Sequence, residues 1–254
     1  MRPRLLGPML AMLLAAAAVE AHAQSAAAQS QAAMPPAAPK PQKMLMVLTE
    51  QDIDAARLLP PPPADGSDAA KAERAELHRI ISARTPERFA QAKWDDEHEN
   101  PTIFAATIGQ GFDLEKLPAT SALLAVVQND QSIAANRAKK LFGRDRPWMV
   151  DRSIPTCNPN DKPGSSYPSG HATLGYSVGS VLAALIPEKA GAIMARAADY
   201  AFSREVCGSH YPSDTEASHV IGTVVAIELL ASPALQPRIM AAKSELRAAG
   251  FTAR

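Results

Sequence analysis

The sequence has little of several things that many folds depend on. Of its 254 residues two are cysteines and 5% are aromatic, and 26 Lys and Arg are matched by 26 Asp and Glu. Two cysteines allow at most one disulfide. The absence of net charge argues against a nucleic-acid-binding surface. Beyond the N-terminus no apolar stretch is long and charge-free enough to cross a bilayer, since even Val220 to Ala231 is interrupted by Glu228. Strand-like alternation of apolar and polar residues is missing as well, which leaves helices as the expected building blocks.

What is present begins with Arg2 and Arg4, an apolar stretch from Leu5 to Val19, and then Ala21, His22 and Ala23. This is the pattern of a secretory signal peptide, with small residues at the A-x-A positions and cleavage between Ala23 and Gln24. A membrane anchor is the weaker reading, because the run falls short of the roughly 20 apolar residues a span needs. The expected division is therefore a signal peptide over 1–23, a disordered linker rich in Ala, Gln, Ser and Pro over 24–43, and one domain over 44–254. Cleavage would leave 24 basic and 25 acidic residues in a soluble periplasmic chain. In that oxidising compartment Cys157 and Cys207 are expected to pair, closing a loop of about 50 residues for roughly 4 kcal/mol on the chain-entropy model. Two free thiols are the alternative.

Apolar residues at three- and four-residue steps predict a helix from Asp68 to Lys93, carrying Leu77, Ile80, Ile81 and Phe89. A second runs from Thr120 to Leu141, with Leu123, Leu124, Val127, Ile133, Ala134 and Leu141 inward and Gly143 as its stop. A third covers Gly170 to Leu185 and ends before Pro187. A fourth covers Glu188 to Arg204, and a fifth starts at Ser213, where Ser213 and Glu216 have capping-box spacing, and ends before Pro233. The Pro60 to Pro63 run must be extended. The expected architecture is an all-α, single-domain helical bundle.

Three short blocks carry chemistry. Lys139 is followed after six residues by Arg146 and Pro147; alone, these are ordinary basic residues near a helix end. Pro168, Ser169, Gly170 and His171 precede an apolar helix, whose free N–H groups and positive dipole end favour an anion; the plain alternative is a capped turn with a surface histidine. Ser203 and Arg204 lead, after five residues, to His210 and, four further on, Asp214. A carboxylate there can hold one ring nitrogen of His210 and leave the other nucleophilic. The alternatives are a helical salt bridge, or a metal pair that would need His219 as third ligand. Together the blocks supply what phosphoryl transfer requires. Lys139, Arg146, Arg204 and backbone N–H groups neutralise equatorial oxygens, one histidine attacks in line, and the other protonates the leaving oxygen, with no metal or other cofactor.

At these residues the sequence resembles the phosphatidic acid phosphatase type 2 superfamily, and in particular its soluble bacterial class A non-specific acid phosphatases. Leu58, Leu59 and Pro60 to Pro63 look like the leucine-proline run those enzymes carry near the mature N-terminus. The resemblance implies an all-helical fold and broad hydrolysis of small phosphate monoesters. It implies that His210 is the phosphorylated nucleophile, His171 the general acid and Asp214 the residue that orients His210. Lys139, Arg146, Ser169, Gly170 and Arg204 match phosphate-binding positions, and Cys157 and Cys207 resemble the disulfide of the class. The chain departs from the pattern at Gln128, where an acidic residue is usual, at Ala172, and at Tyr211 and Pro212. It also departs over Trp94 to Pro101, an acidic stretch that is either a solvated loop or an influence on substrate preference. His78, His98 and His219 read as surface or satisfied core residues. A vanadium haloperoxidase, a membrane-lipid phosphatase and a non-catalytic periplasmic anion-binding protein are the rival readings. Oligomeric state, a homo-oligomer included, is left open.

Overall fold

The structure, a computed structural model, describes residues 43–159 and 162–253. The expected signal peptide and all of the expected linker except Lys43 lie outside the described residues. Among the described residues the fold is helical throughout. Ten α-helices follow in order: α1 (Ala55–Leu58), α2 (Asp68–Ala83), α3 (Pro86–Glu97), α4 (Ala105–Ile108), α5 (Pro118–Phe142), α6 (Pro147–Val150), α7 (Gly170–Leu185), α8 (Ala190–Val206), α9 (Pro212–Ala231) and α10 (Gln236–Ala248). Short 3₁₀ turns at Pro101–Phe104 and Pro187–Lys189 lead into α4 and α8.

The centre of the bundle is α7, packed against α8, α9 and α5. Its Leu174, Val178, Val181, Leu182 and Leu185 are buried, as their spacing predicts. They share one core with Leu123, Leu124 and Val127 of α5, Ile193 and Ala197 of α8, and Ile221, Val225 and Leu229 of α9. Burying side chains of this size contributes about 1.5–3 kcal/mol each. Leu141 departs from expectation: it lies in the last turn of α5 and is 56% exposed. Gly143 then stops α5 in the left-handed region (φ 60°), which has no Cβ penalty for glycine.

The helix expected over Asp68 to Lys93 is two helices. Pro86 disfavours helical backbone in the residue before it, and Thr85 instead caps α3, its hydroxyl accepting from Arg88 N–H at 3.2 Å. The cap expected from Ser213 and Glu216 is also replaced. Helix α9 starts at Pro212, and Asp214 accepts from the Tyr211 N–H at 3.0 Å.

The N-terminal described segment is fastened to α5 by Asp130, a buried carboxylate that accepts from the N–H groups of Met46, Val47 and Leu48 at 2.8–3.0 Å. The extended proline run is held by Tyr167, whose hydroxyl donates to Pro60 O at 2.7 Å. Cys157 and Cys207 form a disulfide joining the loop after α6 to the end of α8. Among the described residues no single helix is long and apolar enough to cross a membrane; α9 and α10, bent at 96° to each other, pass such a test only as a pair.

Candidate active site

All three sequence blocks converge at one end of the bundle. Lys139 comes from the last turn of α5, Arg146 from the residue before α6, Ser169 to His171 from the start of α7, Arg204 from the end of α8, and His210 and Asp214 from the α8–α9 turn and the first turn of α9. They border or underlie a cavity of about 540 Å³, lined among others by Lys139, Arg146, Gly170, His171 and Arg204.

Beneath it lies a chain of buried hydrogen bonds. The carboxylate of Asp214 accepts from His210 Nδ1 at 3.2 Å, from Ser166 Oγ at 2.5 Å and from Arg144 at 2.7 Å. A carboxylate only accepts when ionised, so Nδ1 of His210 carries its proton and Nε2 holds a lone pair. That lone pair faces an Arg146 guanidinium nitrogen at 2.6 Å, and the same nitrogen donates to Ser209 O at 2.9 Å. Burial holds the His210 imidazole well below its ordinary range, and Arg146, Lys139, Arg204 and His171 lower it further. Each of these favours the neutral imidazole, the form a nucleophile needs.

The cationic donors are already aimed. Lys139 Nζ donates to Ser165 O at 2.5 Å and to Pro168 O at 2.6 Å, while Arg146 Nε donates to Ser165 Oγ at 3.3 Å, so the first block does meet, at Ser165. Arg204 is 2% exposed and pairs with Asp96, and its Nε–H is buried with no hydrogen-bond acceptor. A buried orphan donor of this kind is costly unless a ligand oxygen answers it. Ser169 lies behind the cavity wall, its hydroxyl capping α7 by accepting from Ala172 N–H at 3.3 Å. Gly170 and His171 begin that helix and border the cavity. The turn that presents Arg204 and His210 depends on Gly208, whose φ is +65° and where a Cβ would lie 2.3 Å from Pro155 O.

Sequence reasoning missed several participants. Arg144 is 7% exposed and bridges Asp214 to Glu73, at 2.7 and 2.6 Å, with its guanidinium 3.8 Å over the Tyr211 ring. The acidic stretch is not a solvated loop. Asp95 is fully buried and paired with Arg196 and Ser203, Asp96 holds Arg204, and Glu99 lines the cavity. As expected, His78, His98 and His219 stand outside the site, bonded to Asp151, to Trp94 O and, by a stacked ring, to Tyr176. Among the described residues no group of three His, Cys, Asp or Glu side chains is placed to hold a metal ion.

Comparisons with known proteins identify the family. The PAP2 superfamily model matches residues 118–237, which contain all three blocks. The chain is 32% identical over 177 residues to an acid phosphatase of Zymomonas mobilis, covering 67% of each chain. It is 30% identical over 203 residues to a non-specific acid phosphatase of Providencia stuartii, covering 77% of this chain and 82% of that one. It is 29% identical over 205 residues to one of Salmonella typhimurium, covering 78% and 82%. The fold matches a transmembrane PAP2-type phosphatidylglycerolphosphate phosphatase of Bacillus subtilis with a TM-score of 0.52 over 70% of this chain and 94% of that one. At 14% identity that likeness is one of fold alone. With relatives of this kind, the chain belongs to the PAP2 superfamily, as a bacterial-type acid phosphatase that hydrolyses phosphoric monoesters.

Proposed function

We propose that the enzyme works through a phosphohistidine on His210, with His171 as general acid and then general base, on phosphate monoesters of broad structure. The observation that carries this is the pairing of His210 Nδ1 with Asp214, which leaves Nε2 as a buried neutral nucleophile among three cations. Substrate phosphate enters among Lys139, Arg146, Arg204 and the N-terminus of α7, whose Gly170 lets it approach and whose Ser169 has a hydroxyl proton to donate. The N–H of Arg146 that faces Nε2 passes to a phosphate oxygen as Nε2 forms its bond to phosphorus. The ester P–O bond breaks on the opposite side, and His171 gives its proton to the departing oxygen. In the second half water attacks the phosphohistidine, His171 takes the water proton, and the P–N bond breaks to release phosphate. The charge a metal would neutralise is met by the three side-chain cations, so no cofactor takes part.

The cavity gives the leaving group mostly polar, unexacting surroundings such as Gln128, Ser132 and Asn136, which favours broad specificity. We further propose export to the periplasm, with cleavage after residue 23, a linker to residue 43 and a catalytic domain over 44–254. The signal-type N-terminus and the disulfide support that reading. Single turnovers with ³²P-labelled aryl phosphate, quenched in alkaline detergent, test the mechanism. Label that is acid-labile, alkali-stable and absent from His210→Ala is expected, in EDTA as without it; His210→Ala retaining most turnover would remove the proposed nucleophile.

A further inference from the structure

We propose that Glu99 is the residue that positions and holds the transferable proton of the general acid, so that the acid is a Glu99–His171 pair. This rests on the reading of His171 as leaving-group acid. The two nitrogens of His171 have different neighbours, one in the last turn of α3 and one in the segment that follows it. Nε2 lies 3.1 Å from the carbonyl oxygen of Asp96, and a carbonyl only accepts, so one N–H is fixed there. The proton that comes and goes is therefore on Nδ1. That atom lies 3.6 Å from Glu99 Oε1, at the wall of the substrate cavity.

The placement of Glu99 is built. Gln128 Nε2 donates to the Glu99 carbonyl at 3.1 Å and ties the segment to α5. Tyr200 Oη donates to the neighbouring His98 carbonyl at 2.9 Å and ties it to α8, while the Tyr200 ring stacks on His171 at 5.9 Å. The space for the carboxylate is left by Gly170, where a Cβ would come within 3.1 Å of Glu99 Oε1. Residues 95–99 lie outside the span matched by the superfamily model, so this arrangement belongs to the surroundings of the shared core.

The electrostatic need is plain. His171 faces Arg204, Arg146 and Lys139, and with burial they hold its imidazole well below the ordinary range, against the Asp96 carbonyl that raises it. An acid so placed loses its proton too readily unless an anion faces it. Glu99 is that anion: desolvation raises its carboxyl, with Asp96 adding to the rise, but half of its side chain lies in solvent and Arg204, Lys139 and Arg146 pull it back towards the charged form. A carboxylate 3.6 Å from Nδ1 favours the protonated imidazole. On P–O cleavage the Nδ1 proton passes to the leaving oxygen and Nε2 keeps its proton on Asp96 O. The attacking water later returns a proton to Nδ1 as the P–N bond breaks.

The test compares Glu99→Gln, Glu99→Asp and His171→Ala with the parent, using glycerol 2-phosphate as a poor leaving group and p-nitrophenyl phosphate as a good one. For Glu99→Gln the limb along which kcat/KM falls with rising pH should move to lower pH by about one unit, the low end of what an opposite charge at this range does. At pH 6 the glycerol phosphate rate should fall about tenfold while the aryl rate stays within about twofold, and Glu99→Asp should recover part of both effects. An unmoved limb, or equal loss on the two substrates, overturns the proposal. Should His171→Ala spare the aryl substrate while Glu99→Gln shows no discrimination, Glu99 alone loses its role. If His171→Ala loses both substrates equally, the acid assignment fails and the pair with it.

Discussion

Arg144 offers the sharpest test of how His210 and Asp214 are held, because it is not one of the motif residues. Its guanidinium donates to Asp214 Oδ1 at 2.7 Å, to Ser213 Oγ at 2.8 Å and to Glu73 Oε2 at 2.6 Å, and lies over the Tyr211 ring. Replacing it with Met keeps most of the volume and removes the charge. Breaking a buried pair by deleting one partner costs about 3–5 kcal/mol, because the surviving charge is left uncompensated. Here Asp214 keeps Ser166 Oγ, His210 Nδ1 and the Tyr211 N–H, and Glu73 keeps the Ser213 N–H at 2.8 Å. These remaining donors place the expected loss at the lower end, about 3 kcal/mol. For a domain of this size that lowers Tm by about 6–12 °C. Thermal and urea unfolding followed by circular dichroism at pH 6 measure it. In the double variant Arg144→Met, Glu73→Gln the second change should cost much less than it does alone. A Tm within 2 °C of the parent, or strictly additive losses, would refute the view that Asp214 is held by a charge network.

Glu205 makes stability depend on pH. Burial pushes its carboxyl from the ordinary 4.5 up to about 7, opposed by the Thr215 hydroxyl and reinforced by Asp214, Glu76 and Glu73. A carboxyl raised in the folded state stabilises fully below its unfolded value, and that contribution is lost as pH climbs through the folded value. Stability should therefore decline between about pH 4.5 and pH 7, by up to about 3 kcal/mol, and level off above. Glu205→Gln should flatten the profile of urea midpoints, and an unchanged slope would discard Glu205 as its source. Gly208→Ala must pay both for a left-handed backbone and for a Cβ 2.3 Å from Pro155 O. A loss of about 2–5 kcal/mol and a matching fall in turnover are expected by urea titration and assay, and a loss under 1 kcal/mol would show that the turn adapts.

The parts of the site that were legible are those whose meaning is local. Ser169, Gly170 and His171 begin a helix whose apolar spacing can be read residue by residue, and the His210 and Asp214 spacing brings the two side chains together across a single turn. Arg144, Glu73, Asp95, Asp96 and Glu99 were not legible because their partners are remote. Arg144 meets Glu73 across 71 residues and Arg204 meets Asp96 across 108. A charged residue has no period, and on a helix end it looks the same whether it faces water or a buried arginine. Other misses had a signal. Thr85 followed by Pro86 is a helix start, and Ile239, Ala242 and Leu246 of α10 fall at three- and four-residue steps.

Two arginines two residues apart show how partners, more than residue type, divide the labour. Arg144 is held between two carboxylates and rests on an aromatic face, so its charge is already matched and a phosphate would gain little by displacing either partner. Arg146 donates to a carbonyl and a hydroxyl and faces the His210 lone pair, and Lys139 donates to two carbonyls. A phosphate oxygen competes well against neutral acceptors, because hydrogen bonds between ions are roughly twice as strong as neutral ones. Groups of the site itself thus orient Arg146 and Lys139, while Arg144 fixes the carboxylate that pairs with His210. Arg204 stands between the two cases: Asp96 takes one side of its guanidinium, and the buried Nε–H on the other is left for an oxyanion to accept.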